Sequence, residues 1–225
     1  MQYIIDGGNL PVLKIQLEEG ETVQCEAGAM SWMDNEIQMN TQAGGIGKMC
    51  GRMLTNENAF LNTYVARRKG EIAFSSKFPG AIVAIELNNS SIVIQKGAFL
   101  ASVGNIENEV FFRKKLGTGL FGGEGFLMRR YHGTGIVFLE IDGSSSTYEI
   151  PSGDCKIVNT GYVVAMDDTC RMDIQSIKGV KNVLFGGEGL FNTVVYGPGK
   201  VILQSMPISA TAMQLYRYMP HPSSN

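Results

Sequence analysis

Leu120-Phe121-Gly122-Gly123-Glu124-Gly125-Phe126 returns sixty-four residues later as Leu184-Phe185-Gly186-Gly187-Glu188-Gly189-Leu190, and a third copy, Met53-Leu54-Thr55-Asn56-Glu57-Asn58-Ala59, stands sixty-seven residues before the first. Asn56 and Asn58 stand where the other copies have glycine, and asparagine is the usual substitute for glycine where φ must be positive. Each copy reads as one sharp turn with a glutamate at its apex, and the chain as three tandem units. A unit of about 65 residues struggles to bury a core alone, so the three are expected to pack as one pseudo-symmetric domain.

The pattern extends on both sides of the turn. Ahead of it each unit carries a strand with a glycine step: Val23-Gln24-Cys25-Glu26-Ala27-Gly28, Ile92-Val93-Ile94-Gln95-Lys96-Gly97 and Tyr148-Glu149-Ile150-Pro151-Ser152-Gly153. Behind it Tyr64, Tyr131 and Tyr196 precede Gly70, Gly135 and Gly199, which lead into strands at Ile72, Ile136 and Val201. Short runs rich in β-branched residues, such as Ala81-Ile82-Val83-Ala84-Ile85-Glu86-Leu87 and Ile136-Val137-Phe138-Leu139-Glu140-Ile141, alternate with turn formers at Asn88-Asn89-Ser90, Asp142-Gly143-Ser144-Ser145 and Pro151-Ser152-Gly153-Asp154. These features predict an all-β body over residues 1–219, with units near 1–80, 81–142 and 143–208. Ser209 then opens a short amphipathic helix over about 209–218, ended before Pro220, and 220–225 form a flexible tail.

Composition narrows the function classes. The formal net charge of the 225 residues is −2, which lacks the electrostatic footprint of a nucleic-acid binder. The basic spots Arg67-Arg68-Lys69, Arg113-Lys114-Lys115 and Arg129-Arg130 read as solvated strand ends and turns. Charged residues make up 18%, against roughly 25% in ordinary soluble domains, while 44% are hydrophobic. Apolar surface is therefore expected in a subunit interface, with a homo-oligomer, a trimer or a ring, as the favoured assembly. Cys25, Cys50, Cys155 and Cys170 form no CxxC pair and read as small buried hydrophobes, and the opening Met1-Gln2-Tyr3-Ile4-Ile5 is strand-like rather than a signal core. The expectation is a reduced, cytoplasmic protein without a membrane span.

Familiar chemical motifs fail on context. Gly117-Thr118-Gly119-Leu120-Phe121-Gly122 matches the dinucleotide fingerprint, with Glu140 near the place of the ribose acid. That site needs a long helix behind the glycines, whereas residues 126–139 read as strand, turn, strand. Gly47-Lys48 suggests a phosphate loop, but Gln42 and Met49 replace its first glycine and its hydroxyl residue. There is no GxSxG, and His132 and His221 alone offer an imidazole. No zinc spacing fits. No cofactor, metal or catalytic residue is assigned. The sharpest candidates are the turn residues Glu57, Gly123, Glu124, Gly125, Gly187, Glu188 and Gly189. Three symmetry-related carboxylates could converge on a cation, or each could accept the N–H groups of its own turn; the structural role is preferred because a glycine-rich apex exposes amide donors that need partners.

The Leu-Phe-Gly-Gly-Glu-Gly-Phe turn, Tyr131-His132-Gly133-Thr134-Gly135, the segment ending Gly28-Ala29-Met30-Ser31-Trp32-Met33, and Gln204-Ser205 before the final helix resemble the bacterial and archaeal relatives of the mitochondrial biogenesis, or altered-inheritance-of-mitochondria, proteins. The resemblance implies a β-rich fold similar to the tryptophan RNA-binding attenuation protein, a β-sandwich of double-stranded β-helix type in repeated form. It supplies no catalytic residues. Three functional readings follow: a non-enzymatic interaction or scaffold protein with a protein partner; a small-ligand or RNA-binding module of the same ring type, nucleic acid being disfavoured by charge; and an enzyme of unfamiliar type using Glu124, Glu188 and His132.

Overall fold

The computed structural model describes residues 1–39, 61–115, 125–176, 191–216, 218 and 219. Among these residues it is mainly β, with one short helix near the C-terminus. The first segment contributes β1 (Gln2–Asp6), β2 (Val12–Leu17), β3 (Thr22–Glu26), β4 (Met30–Met33), β5 (Ile37–Met39), β6 (Leu61–Ala66) and β7 (Gly70–Ser75). Three long strands follow: β8 (Gly80–Gln95), β9 (Phe99–Lys114) and β10 (Phe126–Asp142). The last segment holds β11 (Ser145–Ile150), β12 (Cys155–Asn159), β13 (Val163–Asp167), β14 (Arg171–Ser176), β15 (Phe191–Tyr196), β16 (Gly199–Gln204) and the helix α1 (Ile208–Tyr216).

Pairing is antiparallel throughout the ladders. One sheet has the order β1-β2-β7-β4, another β12-β15-β14, and a nine-stranded sheet runs β11-β16-β13-β8-β10-β9-β3-β6-β5. Period-two alternation decides which face each strand buries: in β2, Leu13, Ile15 and Leu17 point into the core while Lys14 and Gln16 between them do not. The buried side chains form three clusters. One joins β2, β3 and β7 to Leu100, Ala101 and Phe138; one joins the long strands, where Phe99 stacks on Tyr131 at 4.7 Å, to Val164 and Ala165 of β13; one joins Val93, Phe126 and Met128 to β12, β13 and β16. Each buried Leu, Ile or Phe contributes about 1.5–3 kcal/mol to such a core.

Three strands carry an extra residue just after a turn centred on glycine. Ser31 in β4 is skipped between the pairs Met30↔Phe74 and Trp32↔Ala73, Leu100 in β9 between Phe99↔Leu139 and Ala101↔Phe138, and Val164 in β13 between Val163↔Leu203 and Ala165↔Ile202. The turns before them centre on Gly28, Gly97 and Gly161.

The strands are longer than the sequence suggests. Asn88-Asn89-Ser90 is a bulge inside β8, not a turn, with Asn89 at φ +50° and its N–H donated to Thr134 Oγ1 at 3.1 Å. Tyr131-His132-Gly133-Thr134-Gly135 likewise lies within the continuous β10. Gly133 has φ +133°, and a Cβ there would fall 2.0 Å from the Asn105 carbonyl oxygen, so only glycine lets β10 run past β9 at this point. The helix also starts one residue early, at Ile208. Its first N–H is accepted by Asp142 Oδ2 at 2.8 Å rather than by the expected cap Ser209.

Candidate functional site

Where the ends of several strands and α1 approach one another, they leave an open cleft of about 430 Å³. Glu26 comes from the end of β3, Glu140 and Asp142 from the end of β10, Gln95 from the end of β8, Lys96 from the turn after it, and Gln204 from the end of β16. The opening turn of α1, Pro207 to Ser209, forms one wall. Residues distant in sequence meet here because each strand end stops at the same rim.

The carboxylates are held by defined donors. Glu140, 7% exposed, accepts from the Ser76 hydroxyl at 2.9 Å and from the Lys77 N–H. Lys77 Nζ reaches on to Glu26 Oε2 at 2.8 Å. Partial burial pulls the Lys77 pKa down, but the hydrogen bond to Glu26 and the charges of Glu26 and Glu140 outweigh it and leave the pKa above the usual lysine value. Asp142 moves the other way for an acid. Burial raises its pKa, and the Ile208 N–H offsets only part of that. Gln204 fixes the floor, accepting from the Asp142 N–H at 3.0 Å and donating Nε2 to the Gly161 carbonyl at 3.0 Å. Such a rim presents carboxylates and amides to a ligand and suits an amine or an amide better than a phosphate.

Of the turn residues singled out in the sequence, Glu57, Gly123, Glu124, Gly187, Glu188 and Gly189 lie outside the described residues, as do Gly47-Lys48, Gly117 to Gly122 and His221. Gly125 is described: its φ is +78°, and a Cβ would meet the Lys114 carbonyl oxygen at 2.5 Å. Glu140 serves Ser76 and Lys77 from within a strand, as their hydrogen-bond acceptor. His132 is half-buried on β10, with Nε2 3.9 Å from Glu107. No group of three or more His, Cys, Asp or Glu suited to a metal ion occurs among the described residues.

The basic pairs are not all solvated strand ends. Arg129 is 1% exposed and donates Nε to Asn108 Oδ1 at 2.7 Å. Its neighbour Arg130 bridges Glu109 at 2.6 Å and Asp168 at 2.7 Å, hydrogen bonds that raise its pKa further. Cys25 and Cys170 are buried as expected, but Cys155 is exposed, and Cys50 lies outside the described residues. The cleft acids were not singled out together by sequence reasoning. Their signal is weak: Glu26 and Asp142 end strands just before turns, and Glu140 lies two residues inside one, which is common.

Residues 3–206 match the mitochondrial biogenesis AIM24 family. The chain belongs to that family. It is 30% identical over 234 residues to an uncharacterised protein of Streptococcus pyogenes serotype M6, covering 100% of this chain and 93% of the relative. It is also similar to an X-ray crystal structure of a Streptococcus pyogenes protein, with a TM-score of 0.80 and 26% identity over 97% of this chain and 99% of the other. This AIM24-family chain has, among its described residues, no helix long and apolar enough to cross a membrane.

Proposed function

We propose that this AIM24-family protein is a non-enzymatic interaction protein whose C-terminal helix docks a partner protein. One observation carries the reading. Helix α1 buries none of its residues, and Ile208, Met213 and Leu215 are 56%, 55% and 60% exposed, with Tyr218 and Met219 continuing the apolar surface beyond it. An amphipathic helix with its apolar side in water is costly unless something covers that side. The test is affinity purification from the native cell with wild type and with Met213→Ser/Leu215→Ser, read by mass spectrometry. Proteins retained by the wild type and lost from the variant support the reading. Identical protein sets, or none in either case, defeat it. Since these side chains are exposed, the variant should keep the wild-type melting temperature, which separates lost docking from lost folding.

The cleft favours a second reading, a module that binds a small amine through Glu26, Glu140 and Asp142. Its sign is a melting temperature that rises with an added polyamine and no longer does so in Glu26→Gln, by mass action on the folded state. The reading of an enzyme through His132 has less support: among the described residues its ion-pair partner is Glu107 at 3.9 Å, and Glu124 and Glu188 lie outside them.

The architecture itself is proposed to be three copies of one unit. β2-β7-β4 with β3-β6-β5 has its counterpart in β11-β16-β13 with β12-β15-β14, and the long strands β8, β10 and β9 run through both layers of the middle copy. The extra residues Ser31, Leu100 and Val164 fall at the same place in each.

A further inference from the structure

Neighbouring segments of the chain are joined by one kind of junction, made twice. In the first, Ala101, Ser102 and Val103 of β9 pair with Cys25, Gln24 and Val23 of β3. In the second, Ala165, Met166 and Asp167 of β13 pair with Ile94, Val93 and Ile92 of β8. Both follow one rule. The three residues after the extra residue of one segment face those three, four and five positions before the turn glycine of another. Leu100 and Gly28 set the first junction; Val164 and Gly97 set the second.

The same rule names a third junction whose two halves are present but unjoined. After Ser31 come Trp32, Met33 and Asp34; before Gly161 stand Val158, Ile157 and Lys156. β4 pairs only with β7, and β12 only with β15, so each presents an edge with no ladder partner among the described strands. Exposure shows the difference. The apolar residues of the two made junctions are at most 8% exposed, whereas Trp32, Met33 and Ile157 are 47%, 37% and 65% exposed, Val158 being buried already.

We propose that β4 of one copy of this chain pairs antiparallel with β12 of a second copy, in the register Trp32↔Val158, Met33↔Ile157 and Asp34↔Lys156. The occupant is a second copy because the missing half of each edge is the other edge, already built in this chain. The register also sets Asp34 opposite Lys156, an attractive cross-strand pair, and covers the three exposed apolar side chains. Since one edge meets a different edge, the contact extends head-to-tail and closes into a ring where the rotation between copies allows it. It does not depend on what α1 binds.

The test uses the full chain with Cys50→Ser and Cys155→Ser. Protein carrying Met33→Cys is mixed with protein carrying Ile157→Cys and treated with a short bis-maleimide. The expected product is a heterodimer in high yield, at least several-fold above the pair Met39→Cys with Ile157→Cys, since Met39 is also exposed but lies on β5. Light scattering behind a sizing column should give a whole multiple of the 24.5 kDa chain mass, falling to one chain in Ile157→Lys with an unchanged far-UV circular dichroism spectrum. Three results overturn the proposal: a wild-type monomer at tens of micromolar, cross-linking no better than the Met39 control, or cross-linking only within a single chain that carries both cysteines. An oligomer whose mass is indifferent to Ile157→Lys also defeats it, because such an assembly is held elsewhere.

Discussion

Asp142 at the end of β10 accepts the first N–H of helix α1, from Ile208, at 2.8 Å, sixty-six residues away in sequence. The carboxylate closes the rim of the cleft and anchors the helix whose apolar side is exposed. The same half-buried group is thus asked to cap a helix and to stay charged where charge is poorly solvated.

That conflict has a measurable sign. Burial raises the folded pKa of Asp142 above 3.8, so the folded state binds this proton more tightly than the unfolded chain. The protonated form stabilises the fold below the unfolded pKa, and this contribution is lost as pH rises through the raised folded value. Asp142→Asn keeps an acceptor for Ile208 without a charge to desolvate. Its melting temperature relative to wild type should therefore improve between about pH 4 and pH 7, a window set by the ordinary carboxyl value. Asp142→Ala, which leaves the Ile208 N–H without its cap, should cost about 0.5–2 kcal/mol at either pH. A relative gain for the asparagine variant at the acid end would contradict the assignment.

Gly133 offers a backbone test. Its φ of +133° and the 2.0 Å approach of the Asn105 carbonyl to any Cβ leave an alanine no room. Gly133→Ala should lose at least about 2 kcal/mol in urea unfolding. Gly153 also has positive φ, +89°, but nothing lies within 4 Å of its Cβ position, so Gly153→Ala should cost about 1–2 kcal/mol from the backbone alone. Equal losses at the two sites would mean that crowding between β9 and β10 is relieved cheaply.

These positions also show what a sequence can and cannot convey. Short β-branched runs reveal β7 and β16 directly, and the recurring turn glycines mark where segments begin. Asn88-Asn89-Ser90 misleads because a bulge and a tight turn want the same positive-φ residue, and only the partner β10 decides between them. Arg129 misleads because charge ordinarily signals solvent, whereas Asn108 on the adjacent strand makes burial tolerable. Glu26, Glu140 and Asp142 became a rim only through packing between segments. Local pattern holds no trace of that meeting.

Tyr131 illustrates a cost carried inside the core. It is 1% exposed, its ring stacks on Phe99, and its hydroxyl has no hydrogen-bond partner among the described residues. Burial accordingly raises the phenol pKa, with Arg129 opposing and Glu26 reinforcing. Tyr131→Phe retains the stack and removes a desolvated polar group. The variant should be as stable as wild type or more stable by up to about 1 kcal/mol. A loss above that size in thermal or urea unfolding would reveal a hydrogen bond to the hydroxyl.

The cysteines report on the integrity of the β3 and β9 junction. Burial pushes the Cys25 thiol up to about 12, the charge of Glu26 adding to the shift and Lys77 opposing it. Cys170 is raised in the same way by burial, with Asp167 adding. A thiol must ionise and be reached before it attacks a disulfide reagent, so both should stay silent in the folded protein. Cys155 is exposed on β12, one residue beyond the three positions assigned to pairing between copies. In a Cys50→Ser background an aromatic disulfide reagent at about pH 8 should titrate one thiol per chain rapidly, and none in Cys50→Ser/Cys155→Ser. Denaturant should then release two more. Raising the pH to about 9 should still leave Cys25 silent, because its thiolate remains scarce there. Prompt reaction of Cys25 in the folded double variant would show that β3 separates from β9 under native conditions, and that the junction is too weak to serve as the pattern for pairing between copies.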